Sequence, residues 1–232
     1  RWSASAWNTS IRTERPDRTT FVATLLHLLV PGLLQQPDGT DPALFRSTTP
    51  ALEWLLARAD ASPVPTTLDE VLFELFGLPT PIDADLPVAA LTRLADGGEA
   101  GGGDWWLRAD PVHLRADMHG GVFLADARTL AIEADEATAL VATFNQTFAE
   151  DGLWLEAPCP DRWYLRLPVD PGIRTQALST AAGHNINALL PAGPNARRWR
   201  TLLTEIQMLF HGHPLNQARE QRRQPMINGL WF

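Results

Sequence analysis

The stretch GGEAGGGDWWLRADPVHLRA, residues 97–116, marks the point where the pattern of the sequence changes. Before it, apolar residues recur at the spacing of helices; after it, they alternate with polar residues, as in strands. Its glycine run, 97–103, matches neither Gly-x-Gly-x-x-Gly after a strand nor Gly-x4-Gly-Lys-Ser/Thr, so it is not a phosphate-binding loop. We expect a mobile linker here, followed by a β-rich subdomain.

The residues after the linker predict a subdomain of order ββαββ over residues 104–170. Its helix begins near Asp135, carries Leu140, Phe144 and Phe148 on one face, and stops at Gly152. Alternating apolar and polar residues predict strands on both sides of this helix. The strands are expected over residues 104–109, 111–116, 122–125, 129–133, 153–157 and 162–167.

Upstream of the linker, residues 21–96 predict one buried strand followed by helices. The short apolar run 24–30 ends in Pro-Gly and is typical of a buried strand. Helices are expected over residues 50–60, after a capping box formed by Thr67 and Glu70, and near 87–95. Residues 1–20, rich in Arg, Ser and Thr, are expected to form a loosely ordered extension.

Residues 171–232 predict a loop and a helical tail that packs on the first part of the chain. Five apolar residues at helical spacing form one face of the main helix: Trp199, Leu202, Leu203, Ile206 and Phe210. A shorter helix is expected over 215–223, between two prolines. Together these elements indicate an α+β fold, with α/β as the alternative.

The charge composition restricts the possible partners. The chain has 27 acidic residues against 19 basic ones, all of them Arg, and a formal net charge of −8. This balance repels nucleic acid phosphates, and no apolar run reaches the length of about 18 residues that a membrane span needs. A single cysteine, Cys159, forms no intramolecular disulfide. We therefore expect a cytoplasmic protein that binds neither nucleic acid nor membranes.

Asp110 and His113 are the candidates for a metal site. Asp and His are ligands that divalent transition metals choose, and Asp117 and His119 follow closely in the sequence. Their spacing matches no established ligand set, whereas Asp110 precedes a proline in a turn and His113 alternates with apolar residues in a strand. Structural roles are therefore favoured over metal binding.

The tail carries the predicted binding site for an anion. On a helix, Asn216, Arg219 and Arg223 share one face, and His213 and Asn228 flank them. Because the chain has no Lys, guanidinium and amide groups have to hold a phosphate or a carboxylate, and Arg219 is the first candidate. The alternative is that Arg219 is the buried partner of an acid and serves only the fold.

The same tail resembles a known family. The pattern His-Pro-x-Asn-x-x-Arg over residues 213–219, followed by Pro225, Asn228 and Trp231, is similar to that of a bacterial family described both as RpfE-type regulatory proteins and as phosphoglycerate-mutase-like proteins. Residues 30–34 and 108–114 resemble further motifs of that family. The tail alone is more distantly similar to the archaeal-type, cofactor-independent phosphoglycerate mutases of the alkaline-phosphatase superfamily.

The resemblance implies a phosphomutase-like fold, with two departures. Those mutases need two metal ions and a Ser or Thr that becomes phosphorylated; here no metal-binding Asp follows the first strand, and the chain reaches Phe232 without the superfamily's Asp-His motif. We expect a regulatory or ligand-binding protein without catalytic activity or cofactor, whose partner is a small anionic ligand or another protein. The alternative is a metal-dependent phosphoglycerate mutase or phosphatase, with a divalent metal as cofactor and its remaining metal ligands beyond residue 232.

Overall fold

A computed structural model describes residues 27–29, 50–59, 67–81, 84–99, 102–118 and 120–232. Contacts within the chain divide it into two units, Arg1–Leu78 and Pro79–Phe232. Of the strand expected over 24–30, only residues 27–29 are described, and they lie in neither a helix nor a strand. The rest of that segment and the expected extension over 1–20 lie outside the described residues.

Two short helices make up most of the described part of the first unit. Helix α1 spans Pro50–Leu56, and none of its residues is buried. Helix α2 spans Leu68–Leu75 and begins with the predicted capping box. The Glu70 N–H donates to the Thr67 hydroxyl at 3.3 Å, and the Thr67 N–H donates to the Glu70 carboxylate at 2.8 Å. These bonds satisfy amides that have no partner within the first turn of a helix.

The second unit combines helices with two three-stranded antiparallel sheets, so the chain has a mixed α+β fold. The strands are β1 (Trp105–Arg108), β2 (Asp110–Ala116), β3 (Val122–Ala125), β4 (Trp154–Cys159), β5 (Arg162–Leu167) and β6 (Gly229–Trp231). The helices are α3 (Val88–Ala95), α4 (Ala127–Leu130), α5 (Ala134–Phe148), α6 (Leu178–Ala181), α7 (Ala196–His211) and α8 (Pro214–Gln221). The first sheet has the strand order β1-β5-β4, and the second has the order β3-β2-β6. Only Ala109 separates β1 from β2, so the chain passes directly from one sheet to the other.

The main core is built by the first sheet, α5, α7 and the end of the chain. The apolar faces predicted for α5 and α7 are confirmed: every residue named above for them is buried. Trp163 and Leu165 of β5 contribute to the same cluster, and so does Phe232. Fully burying an apolar side chain of this size contributes about 1.5–3 kcal/mol. A smaller cluster around Val112, Leu124 and Trp231 lies on the second sheet.

Two expected elements differ from those observed. Residues 129–133 were expected to form a strand, but the chain forms α4 up to Leu130, and Ala131, at a φ of 45°, ends this short helix. Residues 171–232 were expected to form a loop and a helical tail, yet the chain ends in strand β6, which pairs with β2. A strand of three residues that begins with glycine is too short to give a sequence signal, so only the partner strand reveals the pairing.

The division of the chain also differs from the expected one. The expected boundary was the glycine run 97–103, whereas the observed division lies between Leu78 and Pro79. Helix α3, on the near side of the glycine run, belongs to the same unit as the sheets. Residues 171–232 share a core with the strands of the 104–170 segment, so the tail and the ββαββ segment form one unit.

Among the described residues, no helix has both the length and the apolar character needed to cross a membrane.

Candidate functional site

The residues predicted to bind an anion lie on or near α8, and the structure buries two of them. Asn216 is fully buried, and its amide nitrogen donates to the carbonyl oxygens of Phe210 at 2.7 Å and Ile227 at 2.8 Å. Its amide oxygen accepts the N–H of Ile227 at 2.8 Å. The side chain therefore joins the end of α7 to the last segment of the chain.

Arg219 is also fully buried, and each of its three guanidinium nitrogens has a protein partner. Nε donates to the carbonyl oxygen of Pro225 at 2.8 Å, and Nη1 donates to the carboxylate of Glu136 at 2.5 Å. Nη2 donates to the carbonyl oxygen of Leu130. This is the arrangement that the structural alternative describes: a buried guanidinium paired with an acid, and not a cation open to a ligand.

Arg223 does not share the face of Asn216 and Arg219. Helix α8 ends at Gln221, and Arg223 has a φ of 57°, in the left-handed region. Its side chain is exposed. The helix was expected to continue to residue 223, and its earlier end is what separates Arg223 from the other two residues.

His213 and Asn228, expected to flank the anion site, make backbone contacts that stabilise the tail. His213 is the N-cap of α8: its Nδ1 accepts the N–H of Leu215 at 3.2 Å, which leaves Nε2 to donate to the Thr143 hydroxyl at 3.1 Å. The Asn228 amide bonds both backbone groups of Leu114, accepting the N–H at 2.7 Å and donating to the carbonyl oxygen at 2.9 Å. It thereby extends the pairing of β6 with β2.

The candidate metal ligands Asp110 and His113 are both on β2 and both make structural contacts. Arg108 donates two hydrogen bonds to the buried Asp110 carboxylate, the shorter at 2.6 Å. Burial raises the pKa of Asp110 above its ordinary value, because its effect exceeds the opposing effect of the Arg108 charge. His113 Nδ1 lies 2.9 Å from the carbonyl oxygen of Met226. Within the described residues, which do not include His119, no group of three His, Cys, Asp or Glu side chains is placed to hold a metal ion.

A second group of polar residues, absent from the sequence predictions, lies on the outer face of the first sheet. Inward-facing residues of β1, β4 and β5 join the core, so the residues alternating with them face outward. Register places Trp106, Arg166 and Trp154 in one row across the three strands, and Arg108, Tyr164 and Glu156 in the next. We call these two rows the outer face.

Helix α3 is anchored on the outer face by ionic and aromatic contacts. The Arg93 guanidinium lies 3.8 Å from the centre of the Trp106 ring and donates to the Glu156 carboxylate at 2.9 Å. Asp96, at the end of α3, accepts two hydrogen bonds from Arg162, each at 2.5 Å, and one from the Tyr164 hydroxyl at 2.6 Å. A bidentate contact of this kind fixes the relative orientation of helix and strand.

These contacts change the proton affinity of the groups that make them. Burial raises the pKa of Asp96, but the hydrogen bonds from Tyr164 and Arg162 outweigh this effect and leave the pKa below its ordinary value of 3.8. Burial and the hydrogen bond to Asp96 raise the pKa of Tyr164 to about 12. The tyrosine therefore stays protonated and the carboxylate stays ionised at neutral pH.

One cation of the outer face remains available. Arg166 is exposed and has no hydrogen-bond or ion-pair partner among the described residues. Trp154, its neighbour on β4, is 43% exposed. Side chains directly opposite each other on paired strands have Cβ atoms about 4.5–5.5 Å apart, so an indole and a free guanidinium adjoin here.

A groove runs beside Trp154, between α5 and the edge strand β4. It is open, has a volume of about 560 Å³, and is lined mainly by apolar and amide side chains: Thr138, Val141, Ala142, Asn145, Gln146, Trp154 and Ala157. The Asn145 amide bonds the N–H and carbonyl of Leu155, so it covers part of the exposed edge of β4. Trp154 belongs to both the groove and the outer face, which makes the two one continuous surface.

The signal for this surface was present in the sequence. The segments WWLR, residues 105–108, and RWYLR, residues 162–166, place Trp106, Arg108, Arg162, Tyr164 and Arg166 at alternate positions of two strands. Polar and aromatic residues at alternate positions indicate a sheet face that is not fully buried. Which face α3 covers, and which arginine it leaves unpaired, depends on contacts between elements distant in the sequence.

The comparisons with known proteins add a distant structural likeness. No family model matches the chain, and no curated protein matches it. Among solved structures, a cofactor-independent phosphoglycerate mutase from Thermoplasma acidophilum DSM 1728 is similar at a TM-score of 0.44 and 15% sequence identity. The likeness covers 72% of this chain and 45% of that enzyme, so this chain matches less than half of the enzyme's length. Similarity at this level carries no information about activity.

Proposed function

We propose that this chain is a regulatory or ligand-binding protein without catalytic activity, and that it binds a small anionic ligand at Arg166 and Trp154. The observation that carries the proposal is the exposed, unpartnered Arg166 guanidinium beside the half-exposed indole of Trp154. The phosphomutase-like origin that the sequence resemblance implies is part of the proposal.

The charges around Arg166 support this choice of residue. The neighbouring arginines are already engaged: Arg93 pairs with Glu156, Arg108 with Asp110, and Arg162 with Asp96. These pairs hold the surface in place and neutralise the acids that would compete for Arg166. A phosphate or carboxylate therefore finds one guanidinium whose donors are unused and whose position on a paired strand is fixed.

Trp154 and the groove beside it indicate what the ligand carries in addition to its anionic group. The Trp154 ring lines the open groove between α5 and β4 and offers a flat apolar surface beside Arg166. The site therefore suits a small molecule with an anionic group at one end and an apolar or planar part at the other. Inorganic phosphate tests the anionic group alone, and 3-phosphoglycerate tests a phosphorylated carboxylate.

Titration calorimetry with these two anions tests the proposal. We expect Arg166→Gln to weaken binding about tenfold or more, because a charge-assisted hydrogen bond contributes about 1.5–3 kcal/mol. Arg197→Gln, which removes an exposed arginine from α7, is the matched control and should leave the Kd within about twofold. Equal binding by the Arg166 variant and the natural chain would contradict the proposed site.

Two further measurements distinguish the proposed binding function from that of a metal-dependent mutase or phosphatase. That alternative requires two metal ions per chain and turnover of 3-phosphoglycerate. Elemental analysis and a turnover assay on the longest natural form of the protein measure both. Two bound Mn²⁺ or Zn²⁺ ions together with turnover would replace the binding function proposed here.

A further inference from the structure

Helix α2 of the first unit has an apolar stripe of which three residues are exposed. At 100° per residue, five apolar side chains fall on one side of the helix: Leu68, Val71, Leu72, Leu75 and Phe76. We call them the α2 stripe. Leu68 is 42% exposed, Leu75 is 39% exposed and Phe76 is 75% exposed.

The buried residue of α2 is not part of the stripe. Phe73 is 6% exposed, and it lies about 140° around the helix from Leu68. Phe73 is thus the buried residue of α2, whereas Leu68, Leu75 and Phe76 of the stripe are exposed and Val71 and Leu72 are half-buried. Isolated exposed leucines need no explanation, but a row of apolar residues along one helix face indicates a contact surface.

The charges beside the stripe specify the chemistry of its partner. Asp69, Glu70 and Glu74 lie on the remaining surface of α2, and no basic side chain among the described residues pairs with them. The whole segment between Arg58 and Arg93 contains no basic residue. It contains six acidic ones: Asp60, Asp69, Glu70, Glu74, Asp83 and Asp85. Among the described residues of α2, the charges beside the stripe are therefore all negative.

We propose that the α2 stripe docks against a basic amphipathic helix of a partner protein. The apolar face of such a helix covers the stripe, and its Lys or Arg residues meet Asp69, Glu70 and Glu74. The capping box of Thr67 and Glu70 stabilises the first turn of α2 before the partner arrives, which lowers the ordering cost of binding. Anionic membranes are disfavoured because the flanking carboxylates repel them.

The test uses the whole chain and a fluorescein-labelled synthetic peptide in which leucine and lysine alternate at helical spacing. Fluorescence anisotropy measures its Kd. We expect Phe76→Ser to weaken binding about tenfold or more, because it removes the most exposed apolar residue of the stripe. Met208→Ser, on α7, is the matched control, since Met208 is 72% exposed, and its Kd should change less than about twofold. Glu74→Gln should weaken binding less than Phe76→Ser and flatten its dependence on salt.

Three outcomes would overturn the proposal. The first is a Phe76→Ser chain that binds the peptide like the natural chain. The second is equal binding of a peptide with the same composition in scrambled order, since that reports net charge alone. The third is binding of the chain to phosphatidylcholine vesicles through Phe76 without binding of the peptide, since that assigns the stripe to a membrane.

Leu75→Ser serves as a second stripe variant, and far-ultraviolet circular dichroism verifies that each variant is folded. None of these results bears on anion binding at Arg166, which lies in the other unit.

Discussion

The guanidinium of Arg219 joins three separate segments of the second unit. It bonds Glu136 at the start of α5, the carbonyl of Leu130 at the end of α4, and the carbonyl of Pro225 in the segment before β6. The sequence predicts one helix face for Asn216, Arg219 and Arg223; in the structure Asn216 and Arg219 lie on one buried face of α8, and Arg223 lies beyond the end of the helix. This face points into the core, and the two residues hold the last segment of the chain in position.

The burial of Arg219 makes a definite prediction for stability. Arg219→Ala leaves the Glu136 carboxylate largely without its buried partner, so we expect the free energy of unfolding to fall by about 3–5 kcal/mol. Urea denaturation followed by tryptophan fluorescence measures this. Arg223→Ala removes an exposed arginine from the same segment and should change stability by less than about 0.5 kcal/mol. A chain that loses Arg219 without losing stability would contradict the structural role.

The protonation of His213 makes the stability of the folded chain depend on pH. Burial lowers the pKa of His213 below its ordinary value of 6.5, and a protonated Nδ1 cannot accept the Leu215 N–H. The unfolded chain keeps the ordinary value, so it binds the proton more readily. The stability that neutral His213 contributes is therefore complete above pH 6.5 and is lost as the pH falls through the lower pKa of the folded chain.

Replacing His213 with Asn tests this directly. Asn is a good N-cap and does not titrate, so His213→Asn should keep the cap of α8 and remove this part of the pH dependence. Unfolding free energies at a pH above 6.5 and at a pH below the folded pKa should differ less in the variant than in the natural chain. The loss of unfolding free energy that His213 causes in the natural chain should not exceed the contribution of one N-cap, about 1 kcal/mol. An identical loss in both chains would assign the pH dependence to other groups.

At the scale of elements, α3 depends on a few charged contacts with the first sheet. Asp96 is the main anchor, because it accepts hydrogen bonds from both Arg162 and Tyr164 of β5. Helix α3, before the glycine run, and strand β1, after it, belong to the same unit. The glycine run therefore connects two elements of one unit.

Weakening this anchor should loosen α3 locally. Asp96→Asn removes the negative charge that Arg162 pairs with, and we expect α3 amides to exchange hydrogen about ten times faster relative to those of α5, which corresponds to about 1.5 kcal/mol of local stability. Asp161→Asn, an exposed residue close in sequence to Arg162, is the control and should leave exchange unchanged. Equal protection of α3 in the Asp96 variant would show that apolar packing alone holds the helix.

The elements that could be predicted from the sequence are those whose capping residues or apolar pattern lie within one short segment. The capping box at Thr67, the apolar face of α7 and the face of α5 each lie within one segment, and the structure has all three. Strand β6 could not be predicted, and the sequence left two orientations of Arg219 open, because each feature depends on a partner more than 80 residues away. The outer face was missed because its residues come from three strands, β1, β4 and β5, and only the pairing of these strands brings them into rows.

At the scale of the whole molecule, the two units carry different kinds of surface. The first unit exposes an acidic and apolar helix, whereas the second exposes an unpaired arginine next to an indole. The two proposed partners, a small anion and a basic protein helix, would bind to different units. A regulatory role would require that binding of one partner changes the affinity for the other, which titrating the peptide with and without 3-phosphoglycerate measures.

Nuclear magnetic resonance of the arginine side chains distinguishes directly between Arg166 and Arg219 as the residue that meets the anion. In the ¹⁵N-labelled chain, the Nε–H signals are assigned from Arg166→Gln and from Arg219→Lys, and 3-phosphoglycerate is then added. The account predicts that the Arg166 signal shifts with saturation while the Arg219 signal, from a buried and fully bonded guanidinium, stays in place. A saturating shift of the Arg219 signal with no change at Arg166 would contradict it.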